Sequence, residues 1–199
     1  VPEAGVAYGS AVGEVVDIFR GGGAVRRLHV HYHGGAWQAL SSQDGWFIAP
    51  SWVDAGYTFV SVNFGLVPEV SLVTQVDQAR RALAWCRDNA DALDASADQI
   101  TVSGHSSGAY LAAMAGLVNW SRDKPRVQAV VLASGVYDLY PVQKSARNGY
   151  LKLCEAEALA LSPIRILPSV TPPCIVVWST NELDEFKRQS MEIASFLER

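Results

Sequence analysis

The sequence predicts an α/β fold, a mostly parallel sheet with helices on both faces. Short β-rich runs alternate with helical periodicities along the chain. The run Ala129-Val130-Val131-Leu132-Ala133 is apolar without polar alternation, as in strands buried on both faces. Glycine-rich turns directly follow two of the predicted strands, where open parallel sheets gather their functional groups.

The elements follow in order. Residues 14–20 and 25–32 read as strands, with Gly21-Gly22-Gly23 as the turn between them. A short helix is expected over 47–55 and a strand over 57–62. Leu72, Val76, Ala79, Leu83 and Cys86 recur at helical spacing, so a long helix is expected over 72–92, with Ser71 as its N-cap. Residues 100–103 form a short buried strand and 107–118 a helix of small residues. Strands follow at 127–133 and 174–178, and a last helix at 184–197. The 199 residues are read as a single domain, 1–199, large enough to bury a core.

Composition narrows the function. Apolar residues make up 49% and charged residues 18%, a balance that excludes a disordered chain. The net charge is −4, and no basic patch points to nucleic acid or to an anionic membrane. Arg80-Arg81 falls within a helical pattern and reads as a solvated face. No apolar run approaches the roughly 18 residues needed to cross a bilayer, and the first residues lack the basic and apolar regions of a signal peptide. No Met opens the chain, so the natural start is expected upstream. Cys86, Cys154 and Cys174 are odd in number, far apart and without metal-ligand spacing. They read as packed small residues, which suits a reducing, cytoplasmic compartment. No cofactor and no metal are expected.

Two motifs carry chemistry. Gly104-His105-Ser106-Ser107-Gly108 matches G-x-S-x-G, and it joins a predicted strand directly to a predicted helix. That context presents a serine nucleophile on a strained turn beside a helix N-terminus, whose dipole favours developing negative charge. The second motif, His33-Gly34-Gly35-Ala36-Trp37, follows an earlier strand. Acyl transfer passes through a tetrahedral oxyanion that needs backbone N–H donors. Gly35 and Ala36 are the natural donors in this loop, and Ser107, after the nucleophile, is the third. Ser106 is therefore the expected nucleophile of an α/β-hydrolase fold.

The chain order of such a triad is Ser, acid, His. The acid is expected after the strand at 174–178, where Glu182 stands between strand and helix. Asp184 is the second candidate, with a better claim as helix N-cap, and Glu185 reads as complement to the helix dipole. No His follows. His29, His31, His33 and His105 all precede the acid. His29 and His31 alternate on a strand and are expected to pack on one sheet face. His33 reads as a structural imidazole of its loop. His105 adjoins Ser106, but neighbours in a tight elbow point apart. Losing the base of a serine hydrolase costs around 10⁶ in kcat. The last strand and the His loop are therefore expected to lie in a longer protein, of which this chain is a C-terminally truncated part.

The chain resembles the kynurenine formamidase (arylformamidase) family of HGGxW-type α/β-hydrolases. The resemblance runs through His33-Gly34-Gly35-Ala36-Trp37-Gln38-Ala39-Leu40, Leu66-Val67-Pro68-Glu69-Val70 and the G-x-S-x-G segment. It continues through Ser134-Gly135-Val136-Tyr137-Asp138-Leu139 and Glu185-Phe186-Lys187-Arg188-Gln189-Ser190. It implies hydrolysis of N-formylkynurenine to kynurenine and formate. It also implies Ser106 as nucleophile, Glu182 in the acid position and Gly35 and Ala36 as oxyanion donors. Glu182 departs from the family's usual Asp, Phe64 stands where relatives often carry Tyr, and the family's His has no counterpart. Trp37 and Tyr137 are expected to flank an aromatic substrate, with Trp46 and Phe47 as further candidates. The expected partner is a small acyl substrate, an aromatic formamide or ester; a homodimer is left open. Two alternatives stand beside the formamidase: a general short-chain carboxylesterase, and a non-catalytic hydrolase-like binding protein.

Overall fold

The computed structural model describes residues 1–118 and 127–198. Among the described residues, seven strands form one sheet: β1 (Glu3–Ala7), β2 (Val15–Phe19), β3 (Arg27–Tyr32), β4 (Tyr57–Val62), β5 (Ile100–His105), β6 (Val127–Ala133) and β7 (Cys174–Val177). Their spatial order is β1-β2-β4-β3-β5-β6-β7. The pairs β1/β2 and β2/β4 are antiparallel, and every other pair is parallel.

The helices that matter most for the site are α1 (Ala49–Asp54), α2 (Leu72–Asp88) and α3 (Ser107–Gly116). Four short helices follow β6: α4 (Tyr140–Gln143), α5 (Asn148–Leu151), α6 (Glu155–Ala160) and α7 (Pro163–Ile166). The last is α8 (Asp184–Leu197). Side chains alternate across each strand. Leu28, Val30, Tyr32, Val102, Val130 and Leu132 are buried in the core, where the sheet meets α2 and α3. The Tyr32 hydroxyl donates to Ala79 O at 2.7 Å and pins β3 to α2. His29, His31, Phe59 and Ser103 occupy the opposite face, where Trp52 of α1 stacks on His29 at 3.4 Å between centroids.

The long helix is capped as expected, with Ser71 Oγ accepting from the Thr74 N–H at 3.1 Å. It ends at Asp88, and residues 91–93 form a separate 3₁₀ turn closed by Asp94 in the left-handed region, so the expected span to residue 92 joined two elements. Strand β1 carries no period-2 apolar signal. It is almost wholly exposed and is held by backbone pairing to β2. At the other edge the face of β7 that carries Ile175 and Val177 is solvent-exposed, continuous with half-buried Val131 and Ala133 of β6. Helices therefore lie on both faces, but α1 covers its face over β3 and β4 and leaves β7 open.

Candidate active site

Ser106 joins β5 to α3 with φ 55° and ψ −123°, a conformation that L residues adopt only when their surroundings force it. The surroundings here are backbone. A Cβ on Gly104 would lie 2.1 Å from Gly108 O, and one on Gly108 would lie 2.1 Å from Tyr32 O. Only glycine at both positions lets the helix approach the sheet this closely. The Ser106 N–H donates to Ala133 O at 2.8 Å, tying the elbow to β6. Among the described residues the Ser106 hydroxyl has no hydrogen-bond partner.

The glycine-rich loop packs against this elbow. A Cβ on Gly34 would meet His105 O at 3.0 Å and Ser106 Cβ at 3.4 Å. Gly35, Ala36 and Trp37 have successive positive φ values of 113°, 52° and 65°. The Gln38 and Ala39 N–H groups close the turn on Gly35 O at 3.1 and 3.0 Å. Ser107 Oγ accepts from the Trp37 N–H at 3.2 Å, so the residue after the serine holds the loop. The backbone N–H groups of Gly35, Ala36 and Ser107 have no protein acceptor among the described residues. His33 orders the same loop: Nδ1–H donates to Gly34 O at 2.7 Å, and its ring stacks on Phe64 at 4.3 Å. Burial pushes its pKa down and keeps it neutral.

Glu182 lies beyond the end of β7. One carboxylate oxygen, Oε1, accepts from Ser134 Oγ and from the Ser179 N–H. The other, Oε2, is buried with no partner among the described residues. Asp184 is not an N-cap: Leu183 takes that position, and Asp184 is the first helical residue, fully exposed and paired with Lys187. Glu185 binds Arg188 and Gln189 along the surface of α8. Of the three carboxylates weighed from sequence, only Glu182 is drawn inward. Its separation from Ser106 follows from the sheet: β5 and β7 flank β6, so their backbones run roughly 10 Å apart.

The histidines are accounted for. His29 Nδ1 and Nε2 contact Thr101 Oγ1 and Ser103 Oγ at 2.8 and 2.7 Å, and His31 Nδ1 contacts the same Ser103 hydroxyl at 2.8 Å. His105 is exposed. None hydrogen-bonds to Ser106 or Glu182 among the described residues.

A cavity of about 560 Å³ opens at the carboxyl ends of β3, β5 and β6, lined among others by His31, Gly34, Phe47, Trp52 and His105. The expectation for Trp37 and Tyr137 is corrected here. Trp37 is 2% exposed, and its ring meets the edge of Tyr110 at 5.7 Å. Tyr137 is wholly buried beneath Gly135. The positive-φ turn rolls the Trp37 ring under α3, and the loop after β6 folds Tyr137 into the core; neither lines the cavity. Trp46 is likewise committed, donating Nε1–H to Asp17 at 3.0 Å. Of the aromatic residues weighed from sequence, Phe47 faces the cavity, and Trp52 joins it. Ser134, Ser179 and Gln189 were missed. No motif marks a serine that binds an acid 48 residues away. Among the described residues no cluster of three His, Cys, Asp or Glu could hold a metal, and no helix is long and apolar enough to cross a membrane.

Residues 21–195 match the family model described as BD-FAE. The chain belongs to the BD-FAE family. The chain is 32% identical to a kynurenine formamidase of Danio rerio over 97% of its own length and 68% of that protein's. It is 31% identical to a kynurenine formamidase of Salmo salar over 97% of the chain and 67% of the relative. Among solved structures, a hyperthermophilic esterase from the archaeon Pyrobaculum calidifontis superposes with TM-score 0.81 at 24% identity, over 92% of this chain and 67% of that one. Esterase B from Lactobacillus rhamnosis superposes with TM-score 0.83 at 17% identity, over 100% of this chain and 70% of that one. The fold is that of an α/β-hydrolase, and the BD-FAE chain is an arylformamidase-like hydrolase.

Proposed function

We propose that Ser106 is the nucleophile of a hydrolase that cleaves a small acyl group, with N-formylkynurenine as substrate and kynurenine and formate as products. The observation that carries the serine mechanism is the strained Ser106 beside three backbone N–H groups that have no acceptor among the described residues. Ser106 Oγ gives its proton to an imidazole base and attacks the formyl carbon; the C–N bond breaks as that proton passes to the departing amine of kynurenine, and water then hydrolyses the formyl-serine ester to formate. The N–H groups of Gly35, Ala36 and Ser107 take the charge that develops on the carbonyl oxygen, a contribution worth roughly 10² to 10³ in rate per donor. Because Gly35 and Ala36 lie on a loop braced by Ser107 Oγ and His33, and Ser107 opens α3 itself, these backbone groups need no reorganisation as charge appears. Glu182 is the acid. A buried carboxylate oxygen without a partner costs on the order of 1–3 kcal/mol, a cost that an imidazole N–H would remove. We assign that imidazole to a segment outside residues 1–199, because all four histidines within them are exposed or otherwise engaged. The kynurenine formamidase relatives, matched over nearly the whole chain, support the formamide substrate.

The test uses the full-length protein. Hydrolysis of N-formylkynurenine is compared with that of short p-nitrophenyl esters, in the parent and in Ser106→Ala, alongside labelling by a fluorophosphonate probe. The expected result is preference for the formamide, a loss of around 10⁶ in kcat in Ser106→Ala, and labelling that disappears with the hydroxyl. Ester preference would make the protein a short-chain carboxylesterase. An unreactive Ser106 would make it a non-catalytic binding protein.

A further inference from the structure

We propose that Ser134 is a positioning residue that holds one oxygen of Glu182 so that the other is presented to the catalytic base. The inference rests on Glu182 being the acid, as read above.

Ser134 is the first residue after β6 and has φ 50°, the left-handed region that a residue with a side chain rarely adopts. Three contacts hold it there. Its N–H donates to Val177 O at the end of β7, at 2.8 Å. Its hydroxyl donates to Glu182 Oε1. The preceding carbonyl, Ala133 O, accepts the N–H of Ser106 at 2.8 Å. One dipeptide thus carries both the nucleophile's backbone and the acid's side chain.

The two carboxylate oxygens are treated unequally. Oε1 receives the Ser134 hydroxyl and the Ser179 N–H at 3.1 Å, whereas Oε2 is buried and receives nothing among the described residues. A glutamate carries one more rotatable bond than an aspartate. An untethered carboxylate here would sample several rotamers, only some of which align with an imidazole. With Oε1 saturated from two directions, the orientation of Oε2 is set before any base arrives.

The tether is itself braced. Gln189 of α8 accepts the N–H groups of Tyr137 and Asp138 at 2.6 and 2.8 Å, and returns an N–H to Asp138 O at 3.1 Å. A Cβ on Gly135 would strike the Tyr137 hydroxyl at 2.1 Å, so the turn after Ser134 is closed tightly over that ring. The loop that supplies Ser134 is therefore fixed by the helix that begins two residues after Glu182.

The experiment measures N-formylkynurenine hydrolysis by the full-length protein carrying Ser134→Ala, Ser134→Gly, Ser134→Thr, Glu182→Ala or Glu182→Asp, and by the double variant Ser134→Ala/Glu182→Asp. Loss of a hydrogen bond to a charged group predicts a fall in kcat of roughly 10- to 100-fold in Ser134→Ala. KM should stay within about twofold, since Ser134 is no part of the cavity lining. Ser134→Gly tolerates the positive φ and keeps the fold while removing the hydroxyl, so the same fall is expected there. Ser134→Thr keeps the hydroxyl but strains the left-handed backbone, so it is expected to recover only part of the rate lost in Ser134→Ala. The shorter Asp does not reach Ser134, so Ser134→Ala adds little to Glu182→Asp. A crystal structure of Ser134→Gly is expected to show the Glu182 carboxylate turned away. Parent-like kcat in both Ser134→Ala and Ser134→Gly, or an unmoved carboxylate, would overturn the proposal while leaving Glu182 as the acid. Parent-like kcat in Glu182→Ala would remove the acid assignment and the proposal with it.

Discussion

Gly108→Ala tests whether the elbow is built by steric exclusion. Gly108 needs no unusual φ, so any cost must come from space. The added Cβ would lie 2.1 Å from Tyr32 O, 2.4 Å from His33 O and 2.7 Å from His33 C. The closest of these falls about 1.3 Å short of ordinary contact. Neither carbonyl belongs to a flexible side chain. Tyr32 ends β3, which is paired on one side with β4 and on the other with β5. Helix α3 must therefore retreat, yet Ala109, Tyr110, Ala112 and Ala113 are fully buried on it. Overpacking of this kind costs roughly 1–3 kcal/mol. For a chain of this size each kcal/mol lowers Tm by about 2–4 °C, so a fall of roughly 2–12 °C is expected in thermal unfolding followed by circular dichroism. Ser106 moves with the helix, and a misplacement near 1 Å costs about 10²-fold in rate, read as slower fluorophosphonate labelling. Gly149→Ala is the control: no atom lies within 4 Å of its added Cβ, and alanine favours the helix. A Gly108→Ala variant that melts within about 1 °C of the parent and labels at the parent rate would refute steric exclusion as the reason for glycine.

Two further outcomes follow from buried polar groups. Gln189→Leu leaves the Tyr137 and Asp138 N–H groups buried without their acceptor, at roughly 1–3 kcal/mol each; urea unfolding should show a loss of at least about 2 kcal/mol, and parity with the parent would mean that the loop is held elsewhere. Burial pushes the His31 pKa down to about 3 and lowers that of His29 in the same direction. The unfolded chain therefore binds more protons below about pH 6.5, and stability that is complete above that value falls as pH drops, by about 1.4 kcal/mol per unit for each imidazole. His31→Gln should flatten the dependence measured by urea unfolding between pH 7 and 5 by close to one proton, and an unchanged slope would show that His31 is not buried neutral.

The parts of the molecule legible in the sequence are those where one local signal decides the outcome. Val127–Ala133 and Leu72–Asp88 announce themselves by apolar continuity and by period, and tertiary contacts only trim their ends. The elbow was legible because its glycines answer to backbone crowding within a few residues. Glu182 could be picked over Asp184 by its place between strand and helix, and the structure separates the two by burial. Strand β1 was hidden because an exposed edge strand needs only a neighbour's backbone, which leaves no pattern in Glu3–Ala7. Trp37 and Tyr137 were misplaced because sequence position puts an aromatic near a site without giving the direction of its ring. Ser134 was invisible because its role depends on a contact made 48 residues later in the chain.

The pair of imidazoles sharing Ser103 has a consequence of its own. Ser103 has one proton and touches two rings, so it can give to only one of them. The tautomers set which. When the Thr101 hydroxyl donates to Leu28 O, at 3.4 Å, its oxygen accepts from His29 Nδ1–H. His29 Nε2 is then a lone pair that takes the Ser103 proton, and Ser103 in turn receives Nδ1–H from His31. Every donor in the row points the same way, from the cavity toward the far end of β5, and His31 presents a bare Nε2 lone pair at the near end. In that arrangement the polarity of a surface inside the cavity follows from a threonine two residues upstream of Ser103, on the same strand, that never reaches it.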